Sequence, residues 1–245
     1  MAAIVLTPTS ATGVGDDPEV SGEASACMAP QPGRFIDEAP AAAAPEVPVI
    51  AEETSIHWTR ATRSLTYGQG GLLEGQVVTD DGAVPDAAVD LYARPVGKKR
   101  WTLIASTRSD DEDAVFRFEC LRPEKTTSYK VVHESSGLYG RSAAERRISV
   151  RRHLPDEMRQ VGPTVFTLRG RVLPGYDGRV RLQRRDCEEC AWSTVLRTAT
   201  RNGTSWQFTF DVAARRGAMW FRAMVPAGDG YARSFGDHVW PITVE

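Results

Sequence analysis

Nowhere in this 245-residue chain does an apolar run approach the roughly 18–20 residues that a membrane-crossing helix needs. Histidine is scarce. His57, His133, His153 and His238 are the only four, and none stands at zinc-ligand spacing from another. There is no Gly-x-Ser-x-Gly elbow, no phosphate-cradling glycine loop and no dinucleotide fingerprint. From residue 55 onward no stretch keeps a helical period for more than two turns. These absences argue against a membrane span in this chain and against the common catalytic motifs. The sequence therefore predicts a protein without catalytic residues, cofactor or metal centre.

Charge is present but unevenly placed. The formal net charge is −2, yet residues 1–54 hold nine acidic residues and a single basic one, Arg34. The remaining body is only mildly basic, too little for the electrostatic footprint of a dedicated nucleic-acid binder. Only four of the 30 basic residues are lysine, Lys98, Lys99, Lys125 and Lys130. The bias toward Arg, Ala, Gly and Pro is that of a GC-rich bacterial gene.

The N-terminus "MAAIVLTPTSATG" has a short apolar run, Ala2 to Leu6, followed by small and polar residues ending at Ser10-Ala11. This is the pattern of the end of a signal-peptide apolar region with its cleavage site. The expectation is a secreted chain with a signal remnant at 1–11 and Met1 a start assigned too late. Residues 12–54 are Pro, Ala, Gly and acid, including "APAAAAPEVPV". Such a stretch cannot bury enough apolar surface to offset its ordering entropy, so residues 1–54 are expected to be a disordered tail.

Beyond residue 55 the pattern changes to short alternating apolar runs rich in β-branched and aromatic residues, interrupted by turn residues. That predicts an all-β sandwich architecture. Strands are expected at 55–60, 71–78, 87–94, 100–107, 114–120, 127–133 and 144–151. A second set is expected at 164–172, 178–185, 191–199, 205–211, 218–225 and 236–244. Domain boundaries follow at 55–152 and 164–245, with a linker at 153–163. Asp81-Gly82 marks a turn, and Asn202-Gly203 predicts a type I′ hairpin.

The two halves repeat each other. Gly75-Gln-Val77 matches Gly170-Arg-Val172, and Val89-Asp-Leu91 matches Val180-Arg-Leu182. Trp101 and Trp192 each stand twelve residues after the leading Val of that second motif. Phe116-Arg-Phe118 then matches Phe208-Thr-Phe210, Tyr129 matches Phe221, and Tyr139 matches Tyr231. The main gap falls in the turn between the second and third strands, where loops absorb deletions.

This ordered run, from Tyr67-Gly68 through Gly75-Gln-Val77, Gly82 with Pro85, Val89-Asp-Leu91, Trp101 and Phe116-Arg-Phe118 to Tyr129, resembles the tandem Ig-like repeats of secreted and surface proteins of high-GC Gram-positive bacteria. The resemblance covers residues 60–245. The second copy lacks the Tyr-Gly start and the Gly-x-Pro turn. The resemblance implies β-sandwich spacer or adhesion modules without catalytic residues, and no particular ligand.

Period-two alternation assigns Val89, Leu91, Phe116, Phe118 and Cys120 to one core, and Val180, Leu182, Trp206, Phe208 and Phe210 to the other. Trp101 and Trp192 read as core anchors, and Cys120 as a buried, inert thiol. On the outward side Arg169, Arg171, Arg179, Arg181 and Arg185 are expected to share one sheet face. They would form a basic patch for an anionic wall polymer or for the acidic tail. Trp240 is a candidate exposed platform beside it. Asp110, Asp111 and Asp113 form a possible calcium loop, although no EF-hand spacing is present.

Cys187-Glu-Glu-Cys190 has the spacing of a metal pair, a redox motif or a staple. Zinc lacks a second ligand pair. A redox motif belongs at a helix start, whereas repeat alignment puts this one at a hairpin tip between acidic residues. A local disulfide is the expectation for an exported chain. The functional expectation is a monomeric, non-enzymatic spacer, display or adhesion protein whose partner is a surface protein or wall glycan. Binding of carbohydrate or anionic wall polymer through the second domain's basic face is an alternative, as is an accessory role to an extracellular hydrolase.

Overall fold

The computed structural model describes residues 9–10, 51–200 and 206–245. Among them every regular element is a β-strand. In chain order the first are β1 (Thr9–Ser10), β2 (Ser55–Ala61), β3 (Ser64–Thr66), β4 (Gly71–Thr79), β5 (Gly82–Ala83) and β6 (Ala88–Pro95). Then come β7 (Thr102–Arg108), β8 (Val115–Leu121), β9 (Thr127–His133), β10 (Ser142–Arg151), β11 (Asp156–Gln160) and β12 (Val165–Arg171). The last are β13 (Arg179–Arg185), β14 (Ser193–Ala199), β15 (Gln207–Ala213), β16 (Gly217–Val225), β17 (Ser234–Phe235) and β18 (His238–Val244). They fall into two compact units divided between Ile148 and Ser149, with Thr9–Ser10 in the second.

In the first unit β2, β4, β5 and β8 form one sheet, and β3-β10-β9-β6-β7 form the other. In the second, β11-β12-β15 form one sheet and β1-β18-β16-β13-β14 the other, with β17 on β16. Strand for strand the plan is the same. The first, second and fifth principal strands of each unit make the smaller sheet, and the seventh, sixth, third and fourth make the larger. Each unit is thus an antiparallel Ig-like β-sandwich.

Each sandwich has its own core. Leu73, Val77, Val89, Leu91, Phe116, Phe118, Tyr129, Val131 and Ile148 fill the first. Leu154, Phe166, Leu168, Val180, Leu182, Phe208, Phe210, Met219, Phe221, Trp240 and Ile242 fill the second. Each fully buried Leu, Ile or Phe contributes about 1.5–3 kcal/mol of transfer free energy. The repeated motifs meet inside these cores. Gly75 pairs with Phe116 and Gly170 with Phe208 across neighbouring strands. A Cβ on Gly75 would lie 2.8 Å from the Phe116 ring, and one on Gly170 would run into the Phe208 ring. The glycine of Gly-x-Val is therefore the socket for the first phenylalanine of Phe-x-Phe.

All thirteen expected strands are found, with ends shifted by a residue or two. Several expectations need correction. The interval 153–163 is not a linker. It holds β11, whose alternation puts Leu154 and Met158 into the second core. A buried Asp156 between them hid that pattern. The 1–54 tail also ends early, because Glu52 accepts and donates backbone bonds with Gly140 and Leu138, and Thr54 is buried. Thr9–Ser10 pairs with β18, while the rest of 1–50 lies outside the described residues. Asn202-Gly203 lies outside them too. The strands flanking it, β14 and β15, belong to different sheets and form no hairpin. The turn expected at Asp81-Gly82 is present, and it joins β4 to a short extra strand, β5, with Thr79 paired to Gly82.

Among the described residues, β7 and β14 are edge strands of the two larger sheets. Each carries an exposed apolar pair that includes its bulge residue, Leu103 with Ile104 and Val195 with Leu196.

Candidate functional site

A β-bulge decides what the larger sheets present outward. Between β6 and β7 the register shifts after Leu91, and between β13 and β14 it shifts after Leu182, the same position in the repeat. One extra residue turns every following side chain to the opposite face. Continuing the shifted registers brings Trp101 opposite Arg94 and Trp192 opposite Arg185 on the outer surface. The expectation that both tryptophans are core anchors is thereby overturned. Both are only partly buried, and neither belongs to a core cluster.

Instead they build stacks of rings and cations. In the first unit Arg94 lies 4.3 Å and Lys130 5.2 Å from the Trp101 ring centre, and Lys130 is 5.7 Å from Tyr92. In the second the stack is longer. Arg222 sits 4.1 Å from both Phe235 and Trp192, and Arg185 sits 4.9 Å from Trp192 and 5.4 Å from Trp220. The order is therefore Phe235, Arg222, Trp192, Arg185, Trp220. Each such contact is worth about 0.5–2 kcal/mol, more as water is excluded.

The second stack carries unmet positive charge. Burial, reinforced by the neighbouring Arg185 and Arg233, pushes the Arg222 guanidinium down to about 10. Its Nε donates to Gln183 Oε1 at 2.9 Å. Arg185 donates through Nη1 to the backbone carbonyl of Glu188, while its buried Nε has no hydrogen-bond partner. The nearby carboxylate of Asp186 is engaged by Arg184 and Arg215, at 3.1 and 2.8 Å. Among the described residues no ion pair involves Arg185, Arg222 or Arg233.

The hairpin tip beside this stack is stapled. Cys187 and Cys190 form a disulfide with Cα atoms 5.0 Å apart, and the Cys190 N–H donates to the Cys187 carbonyl at 3.2 Å. Trp192 follows two residues later, and Glu188 inside the loop holds Arg185. The staple therefore fixes both members of the central ring–cation contact.

The expected five-arginine patch is divided by the fold. Arg169 and Arg171 lie on β12 in the smaller sheet, whereas Arg179, Arg181 and Arg185 lie on β13 in the larger. Only Arg185 enters the stack. Arg169 and Arg171 flank a shallow hollow of about 430 Å³ with Glu157, Gln207 and Thr209.

Asp110, Asp111 and Asp113 do not converge on a cation position. Asp110 Oδ1 accepts from the Asp113 and Val115 N–H groups at 2.8 and 3.2 Å, and Oδ2 accepts from Arg117 at 3.3 Å. Burial opposes its charge, but those donors prevail and hold the carboxyl below its usual range. Among the described residues no three His, Cys, Asp or Glu side chains gather for a metal.

Cys120 is not a core thiol. It is exposed, has φ +55° beside an irregularity in the β4–β8 register, and is disulfide-bonded. Trp240 is a core residue, not a platform, and donates through Nε1 to Asp156 Oδ2 at 3.2 Å. His238 Nδ1 contacts Asp156 Oδ1 at 3.1 Å. Burial raises Asp156 to about 6, against the lowering effect of these two hydrogen bonds.

A groove of about 920 Å³ opens between β7 and β8, reaching Phe118 and Tyr129 in the first core. Burial pushes the Tyr129 hydroxyl up to about 12. No helix among the described residues is long and apolar enough to cross a membrane.

No protein-family model matches the chain, and no curated protein matches it. Several solved structures are similar. One is the tetra-tandem repeat in the extending region of a large adhesion protein, at 12% identity and TM-score 0.35, covering 76% of this chain and 48% of that one. Another is chicken CNTN1 FN1-FN3 domains, at 10% identity and TM-score 0.29, covering 81% of this chain and 65% of that one. A cytokine receptor complex is similar at 12% identity and TM-score 0.38, covering 75% and 96%. The chain spans about half the length of the first of these. The fold assignment rests on the strand order and the two cores.

Proposed function

We propose that this chain is an extracellular, non-enzymatic protein whose consecutive Ig-like modules, about residues 52–148 and 149–245, act as spacer, display or adhesion units at a cell surface. One observation carries this reading: the second module reuses the strand plan, the Gly–Phe socket, the bulge and the tryptophan–cation stack of the first. Repeating a complete module adds reach and outer surface, which is what a spacer or adhesin needs. The Cys187–Cys190 disulfide supports an oxidising compartment. The partner would be a surface protein or a wall glycan. Fractionating cells of the native host and mapping cysteine state tests the reading. The protein should be recovered outside the cytoplasm with Cys187 and Cys190 joined. Recovery from the cytoplasm with both as thiols would overturn it.

A further inference from the structure

We propose that the outer face around Trp192 binds an anionic polysaccharide, whose sulfate or carboxylate groups are received by Arg185, Arg222 and Arg233. Stacking against rings orients the Arg185 and Arg222 guanidiniums and removes much of their rotamer freedom, so little entropy is lost when an anion arrives. Among the described residues their charge is not spent internally: Arg222 has only an amide oxygen, Arg185 only a backbone carbonyl, and Asp186 is committed to Arg184 and Arg215. The mutual repulsion of the three arginines, visible in the depressed Arg222, is relieved by a ligand anion. Trp220 and Phe235 end the stack half-buried, leaving ring surface beside the charges for the C–H faces of sugar rings. The first module keeps two stacked cations, Arg94 and Lys130, against two rings rather than three. A glycan suits the site better than nucleic acid because the disulfide fits an oxidising, extracellular setting. That choice of polymer rests on the function proposed above.

The whole chain has net charge −2 and a sequence pI near 6.1, so retention on a polyanion at pH 7.4 would report a local site. The full-length oxidised protein is titrated with heparin, with neutral dextran and with duplex DNA, following tryptophan fluorescence and elution by salt. Heparin should bind and be released by salt, with dextran and DNA at least ten-fold weaker. Arg185→Ser and Arg233→Ser should each weaken heparin binding by roughly ten-fold. Arg233 is exposed, two residues before the Phe235 ring that covers Arg222, and is itself outside the stack, so this variant keeps its fold and decides the matter if Arg185→Ser does not. No heparin binding, equal binding of DNA, or unchanged affinity in Arg233→Ser would overturn the proposal. The titration uses purified protein. A cytoplasmic location would therefore sink the extracellular function while leaving the anion site measurable.

Discussion

A single carboxylate shows how an isolated residue can both hold a strand and conceal it. Asp156 stands at an inward position of β11, where a hydrophobic residue would have revealed the alternation, and its side chain is fully shielded from solvent. Its folded value of about 6 exceeds the ordinary 3.8, so the folded state binds the extra proton. Stability from this group is full below about pH 4 and is lost as pH rises through about 6. Asp156→Asn should flatten the fall in Tm between pH 4 and 7, measured by thermal melts in a pH series. A slope identical to that of the parent protein would show that this residue does not govern it. Cysteine chemistry is also checkable at this scale. Maleimide labelling of the native oxidised protein should spare Cys120, Cys187 and Cys190, and labelling after denaturing reduction should reach all three.

At the scale of elements, the clearest coupling is between β4 and β8 and between β12 and β15. Gly170→Ala would press a methyl into the Phe208 ring and against the Pro155 carbonyl, 2.8 Å away. A cost of about 1–3 kcal/mol is expected from such overpacking, read from urea midpoints. Adding Phe208→Leu should recover part of it. Recovery separates socket filling from a general backbone effect. The partners were legible in the sequence as motifs recurring at fixed spacing, but that they meet was not, because no local pattern states which strands pair. The bulge was not legible. It adds Ile104 to β7 and Val195 to β14, ordinary strand residues with no glycine to announce an irregularity. Trp101 and Trp192, read as core anchors because sandwich tryptophans usually are, are turned outward by it. The five arginines were placed on one face by taking consecutive strands as neighbours, because strand order across two sheets is not written in any local pattern. The hairpin-tip disulfide was legible, since alignment with the first copy located the tip without knowing the fold. What the tip holds in place, Trp192 and Arg185, emerged only once the bulge was seen.

For the whole molecule, two separate cores imply that damage to one sandwich is felt mainly there. Leu91 and Leu182 are fully buried at matching positions, and truncating either to Ala should cost about 2–5 kcal/mol. Calorimetry should show Leu182→Ala lowering the melting of residues 149–245, with protease protection of residues 52–148 kept. Leu91→Ala should do the converse. Equal loss of protection in both halves would mean that they melt as one. The edge strands β7 and β14 carry a different consequence. Among the described residues each is a sheet edge next to exposed aliphatic side chains, a template on which another chain can add. Colloidal shelf life, rather than fold stability, should therefore set how concentrated this protein can be kept. Ile104→Lys and Leu196→Lys would act as gatekeepers, raising the concentration at which light scattering first appears while leaving Tm nearly unchanged.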